Sequence, residues 1–200
     1  MYIPHYFEMT DRPEIISFMR RFNFAVIVTS KDNTPIASHL PFVISERGDE
    51  ILLRAHFAKA NPQWKEIESA SSLVVFSEPH AYISPQQYDA VQSVPTWNYL
   101  AVHASGKAKI ISEMEEVIAM LEEAIDTYEP DYRAQWNHLP KDYKKSMIKG
   151  IVAFEILVTQ LEGKKKLSQN KTESERIRIA ENLSQSEDTV TREIGWRMTP

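Results

Sequence analysis

VPTWNYLAVHASGKAKI, residues 94–110, is the stretch whose reading decides the fold. Leu100, Val102, Ala104, Gly106, Ala108 and Ile110 fall on one side, and Trp97, Tyr99, Ala101, His103, Ser105, Lys107 and Lys109 on the other. A period of two sustained this long predicts one long strand with a buried face and a chemically mixed face. The buried side chains are mostly small, as a tight barrel interior requires. The mixed face begins, after a proline, with Trp97, Asn98 and Tyr99, a cluster that suits a flat ligand or a partner surface.

Outward from this strand, short segments of the same kind recur. FAVIVTS (24–30) reads as a strand with KDNT as its turn. PIASHLPFVI (35–44) reads as one further strand, with Ile36, Leu40, Phe42 and Ile44 on one face and Ala37, His39 and Pro41 on the other. EILLRAHF (50–57) places Ile51, Leu53, Ala55 and Phe57 inward and Leu52, Arg54 and His56 outward. SLVVFSEP (72–79) and GIVAFEILVTQLEG (150–163) are apolar strands. Between them lie helices. Asp11 and Glu14 have capping-box spacing ahead of a helix to about Arg21. Asn61 and Pro62 open a short helix over 61–69. Met114–Tyr128 carries a stripe of Val117, Ile118, Leu121, Ala124 and Ile125. Residues 129–149 are polar, aromatic and irregular in pattern, and Thr172 and Glu175 start a polar C-terminal helix or pair of helices. The expectation is a mainly β fold with helices, a β-barrel of α+β type, over residues 1–170, with 171–200 as a helical segment packed on it or extending from it.

Two hundred residues suffice for one domain with a sizeable core. The net charge of −5 argues against generic nucleic-acid binding through a basic surface, so any such contact needs a local patch. The absence of cysteine excludes thiol catalysis, Cys-ligated zinc and disulfides. Five glycines leave no Gly-rich phosphate loop. No signal-peptide pattern and no apolar run of roughly 20 residues is present, which leads us to expect a cytoplasmic protein without a membrane partner.

Four groups of residues could carry chemistry. The strand-to-helix turn RAHFAKANPQW (54–64) sets Arg54, His56 and Lys59 beside a helix start, a seat for phosphate or simply a solvated turn. His39, His56 and His103 lie on the non-core faces of strands; their spacing fits no metal motif, and partly exposed sheet histidines explain them as well. Trp97, Asn98 and Tyr99 offer aromatic planes and an amide to a planar heterocycle or to a subunit interface. Lys164, Lys165, Lys166 and Lys171 around LSQN read as a solvated face or a phosphate contact. No helix-turn-helix pattern and no nucleophile with an evident base is found.

Taken together, MYIPHYFEMTD, PIASHLPF, AKANPQW, VVFSEPHAYISP, VPTWNYLAVHASGKA, GIVAFEI and KLSQNK, in order over roughly residues 1–175, resemble the PaiB family of FMN-binding negative transcriptional regulators. The resemblance implies an FMN-binding split barrel of pyridoxamine-phosphate-oxidase type, a homodimer with flavin at its interface, and repression of sporulation and extracellular protease genes through promoter DNA. It also implies cofactor-binding roles. Arg54, His56, Lys59 and Asn61 would form the phosphate turn, Trp97, Asn98 and Tyr99 would meet the flavin ring, His39 would lie on a flavin-contacting strand, and Lys166 and Gln169 would come from the second subunit. The chain has Ala55 where the family commonly has Gly before the histidine, which leads us to expect a methyl group narrowing the approach to the cofactor. Two other functions fit the same residues. One is a flavin oxidoreductase, which needs no catalytic base for hydride transfer to the cofactor. The other is a haem-binding split barrel with one of the histidines as axial ligand.

Overall fold

The structure is a computed structural model that describes residues 1–69 and 71–199; Pro200, at the end of the expected C-terminal segment, lies outside the described residues. In chain order the described elements are β1 (Glu8–Met9), α1 (Arg12–Arg21), β2 (Phe24–Lys31), β3 (Thr34–Pro41), β4 (Val43–Arg47), β5 (Glu50–Ala58), β6 (Ser71–Ile83), β7 (Thr96–Ile111), α2 (Met114–Tyr128), α3 (Tyr132–His138), α4 (Lys141–Ile148), β8 (Ile151–Lys166), α5 (Glu173–Ser184) and α6 (Thr189–Met198). Three short 3-10 turns, His5–Phe7, Pro62–Glu66 and Pro85–Gln87, complete them. Hydrogen-bonded strands follow the order β3-β2-β6-β7-β8-β5-β4, and β1 adds to β8. The pairings of β1 with β8, β2 with β3 and β6, and β5 with β4 and β8 are antiparallel. No helix among the described residues is long and apolar enough to cross a membrane.

The described chain forms two compact units. The first comprises Met1–Phe18, Phe76–His103 and the chain from Glu162 onward. Asp11 accepts the Glu14 N–H at 2.9 Å and starts α1. Thr172 and Glu175 close a reciprocal capping box at the start of α5, and Asp188 caps α6. Ile179, Leu183, Ile194 and Met198 bury the faces these two helices share with the unit's core.

The second unit comprises Met19–Val75 and Ala104–Leu161. Asp32 and Asn33, both with positive φ (50° and 61°), make the tight turn of the β2–β3 hairpin, the conformation such a turn demands. The stretch 35–44 is two strands, not the single one its alternation predicts. Thr34–Pro41 pairs with β2, whereas Val43–Arg47 pairs with β5. Pro41 has no N–H to continue the ladder. Phe42 leaves it altogether: its N–H reaches the Asn23 carbonyl at 2.9 Å, and its ring meets Phe154 edge-on in the core. Phe57 stacks on Phe154 at 4.9 Å beside them.

Residues 129–149 are likewise more regular than their pattern predicts, forming α3 and α4. Their organiser is polar and remote. Arg133 donates to the Glu122 carbonyl and carboxylate and to Asp126, and the Trp136 indole N–H donates to Glu122 at 2.9 Å. Ile148 anchors α4 among Val117, Met120 and Ala153. Helices this short show too few apolar positions for a period to emerge.

Candidate functional site

The ten expected cofactor residues divide evenly between the two units. In the second unit, β5 ends in the turn that carries Lys59 and Asn61. That turn leads into a single 3-10 turn, Pro62–Glu66, and not the helix expected over 61–69. Its rigidity comes from two amides. The Asn61 side chain accepts the Gln63 N–H at 3.0 Å and donates to the Ser38 hydroxyl at 2.8 Å. Gln63, 1% exposed, accepts from Ser38 at 2.6 Å and donates toward the carbonyls of Ile27 and Ile36 and the Thr29 hydroxyl at 3.1–3.2 Å. Asn61 is therefore occupied as a cap, and Gln63, which the sequence did not single out, pins the turn to β2 and β3. The Trp64 indole N–H closes the turn on the Lys59 carbonyl at 3.0 Å.

The cations of this segment differ sharply. Arg54 is held by Glu155 at 2.7 Å and Glu123 at 2.8 Å. It lines a 460 Å³ groove in which Arg47 and Lys109 face Glu116, Glu123 and Glu155. Two carboxylates compensate its charge, so a phosphate at Arg54 would have to compete with Glu123 and Glu155. Lys59 is exposed, and its ammonium pairs with no carboxylate among the described residues. His56 is half-buried, and burial pulls its imidazole below the ordinary value, so it is neutral at pH 7. His39 is exposed on β3 with its ring stacked 6.2 Å from Phe24. Ala55 is buried with Leu53 and Phe57, so its methyl fills the core and does not narrow the His56 side of β5.

In the first unit, the start of β7 follows the alternation. Trp97 is half exposed, with His80 and Tyr82 at 5.8 and 5.9 Å. Tyr99 borders a 260 Å³ recess lined also by Ser77, Glu78, Pro79 and His80. Asn98 falls on the inward row and is fully buried. Its amide donates to the Ser168 hydroxyl at 2.9 Å and accepts from it at 3.2 Å. Gln169 spends its side chain locally, accepting the Leu167 N–H and donating to the Lys165 carbonyl. Asn98 and Gln169 thus both take part in holding the fold.

The lysines at the end of β8 are not the solvated face their charge suggests. Lys165 pairs with Glu14 at 2.5 Å. Lys166 donates to the Thr96 hydroxyl beside the Phe7 ring. Burial, and next the charge of Lys164, lower its pKa. Lys164 is 8% exposed, lies over the rings of Tyr99 (5.1 Å) and Tyr2 (5.8 Å), and donates to the Tyr2 carbonyl at 3.1 Å. Neither Lys164 nor Lys166 has a carboxylate partner among the described residues. Buried charge without a counter-charge is expensive, and rings plus unpaired ammonium groups match a planar, electron-accepting or anionic heterocycle. The donor set fits a flavin.

A family model described as "Putative FMN-binding domain" matches residues 1–160. The chain is 38% identical to "Protease synthase and sporulation protein PAI 2" of Bacillus subtilis, over 99% of this chain and 96% of that protein. Among solved structures it is similar to the flavocytochrome Anf3 of Azotobacter vinelandii (TM-score 0.62, 16% identity, 81% of this chain and 70% of that one). It is also similar to the FAD and heme binding protein of Mycobacterium smegmatis (TM-score 0.57, 14% identity, 80% and 73%). These likenesses show a split-barrel flavoprotein fold and carry no chemistry across. The family match and the full-length relative agree with the site's aromatic and cationic chemistry: the chain belongs to the PaiB-like family of FMN-binding proteins.

Proposed function

We propose that this protein binds FMN through the residues described above and, as a cytoplasmic homodimer, represses transcription of protease and sporulation genes. The observation that carries the binding half is the buried Lys164, over the rings of Tyr99 and Tyr2 and near Lys166, with no carboxylate partner among the described residues. In this reading Trp97 and Tyr99 recognise the isoalloxazine ring, and Lys164 and Lys166 supply positive charge to it. Within the second unit by itself, Lys59 is the cation proposed for a phosphate, and His39 and His56 are the imidazoles proposed to accompany it. When bound, FMN supplies an electron-accepting ring; the chain's own part is to orient it and to balance its charge. The regulatory half is supported by the full-length relative alone. Oxidoreductase and haem-binding functions have only the shared fold behind them.

Titration with FMN and with riboflavin, followed between about 350 and 500 nm where a flavin absorbs, tests the binding half. Lys59→Ala should weaken FMN about tenfold and leave riboflavin unchanged, since a charge-assisted contact contributes about 1.5–3 kcal/mol. Trp97→Ala should weaken both by a similar factor. Equal losses for the two ligands in Lys59→Ala would remove the phosphate assignment. Sedimentation equilibrium checks the dimer.

A further inference from the structure

Segment 132–149 carries Arg133, Lys141, Lys144, Lys145 and Lys149 against one acid, Asp142, in a chain with 23 Lys+Arg and 28 Asp+Glu. Two of these cations are occupied: Arg133 by Glu122 and Asp126, and Lys144 over the Trp136 ring at 4.6 Å. Lys141, Lys145 and Lys149 are exposed and pair with no carboxylate among the described residues. They recur every fourth residue, a step of about 6 Å at the helical rise, so their ammonium groups form a row down one flank of α4 and its C-cap. Ile148, buried against Val117 and Met120, fixes the rotation of the helix and keeps that flank outward. At the end of the row, the Gly150 carbonyl accepts the Lys59 N–H at 2.8 Å, which joins the turn bearing exposed Lys59 to the same surface.

Evenly spaced, unpaired ammonium groups on an acidic chain select a polyanion, and double-stranded DNA presents one charge per roughly 1.7 Å of axis. A membrane-surface helix would instead need a broad apolar flank to insert. Here Ile148 is consumed by the protein core, and only Tyr143 and Met147 are exposed apolar side chains on α4. We infer that the Lys141–Lys145–Lys149 row docks on the phosphate backbone of duplex DNA. The inference rests on the regulatory reading, for which it supplies the local basic surface that the net charge requires.

The test is fluorescence anisotropy of a labelled duplex with the full-length protein between about 50 and 200 mM salt. Lys141→Gln/Lys145→Gln/Lys149→Gln should weaken binding more than about tenfold and flatten the slope of log K against log salt by about three contacts' worth. Lys145→Gln alone should remove about one contact, which keeps the test open should the triple variant fold poorly. The triple Lys→Arg variant should restore binding, and Lys107→Gln/Lys109→Gln should bind like the parent. Unchanged DNA binding in the triple Gln variant would overturn the row while leaving repression through another surface intact. No duplex binding by the parent protein at low salt, with FMN titrating normally, would overturn the row and direct repression together. Binding to phosphatidylserine vesicles in place of duplex would assign the row to a membrane and overturn the inference.

Discussion

Among single residues, the amides rank above the charges in holding the candidate site. Gln63 satisfies backbone and hydroxyl groups of β2 and β3 from inside the protein. Gln63→Ala should therefore lower unfolding free energy by about 1–3 kcal/mol, the penalty for leaving buried acceptors unpaired, read as a shift in denaturant midpoint at constant slope. His56 adds a pH dependence. Burial holds its folded pKa below the ordinary 6.5, so below that pH the unfolded chain binds a proton that the folded chain resists. Stability should fall as pH drops from 6.5 toward the lower folded value and be level above it. Melting temperature in the parent and in His56→Gln across that range checks it: the variant should show the shallower decline. Alternation correctly predicted which of Trp97 and Tyr99 face outward. It could not show that Asn61, Asn98 and Gln169 find their partners inside the protein, because a side-chain amide looks the same in sequence whether its partner is Ser168 or a ligand.

Elements with strong local signals stood where the sequence placed them. The α2 bounds, the capping box of α5, the Asp11 cap of α1, the β2–β3 turn and the long β7 were all legible, since a period or a cap is a local property. The errors came where a neighbouring element overrules the pattern. Alternation continues through Phe42, yet the ring turns inward to Phe154 and divides the stretch into β3 and β4. Close approach of β7 and β8 is another such effect. A Cβ on Gly106 would clash with the Leu157 carbonyl oxygen and lie 2.9 Å from an Ile156 methyl. Gly106→Ala should cost about 3 kcal/mol or more through strand displacement, seen as a lower melting temperature. The periodicity placed Gly106 on the buried row but gave no hint that backbone, and not a side chain, fills the space beside it.

Over the whole molecule, charge is distributed against the average: net −5, yet with an unpaired lysine row whose end adjoins the Lys59 turn. If FMN places its phosphate at Lys59, it adds negative charge at that end. FMN should then lower duplex affinity by up to about tenfold near 0.1 M salt, the worth of one phosphate contact, while riboflavin leaves it unchanged. The same anisotropy titration, run with each flavin, checks this. Read alone, the sequence gives α2, the long β7 with its aromatic start, the β2–β3 turn and the absence of thiol chemistry, because period, composition and caps are written within a few neighbouring residues; it misses the β3–β4 division and α3 and α4. Which cations remain free follows from contacts between distant parts of the chain. Arg54 keeps its charge but is paired with Glu123 and Glu155, 69 and 101 residues away, while Lys164 is buried without a carboxylate partner among the described residues and Lys59 is left exposed. A charge is available to a ligand only when folding brings no opposite charge to it, and that depends on residues far apart in the chain.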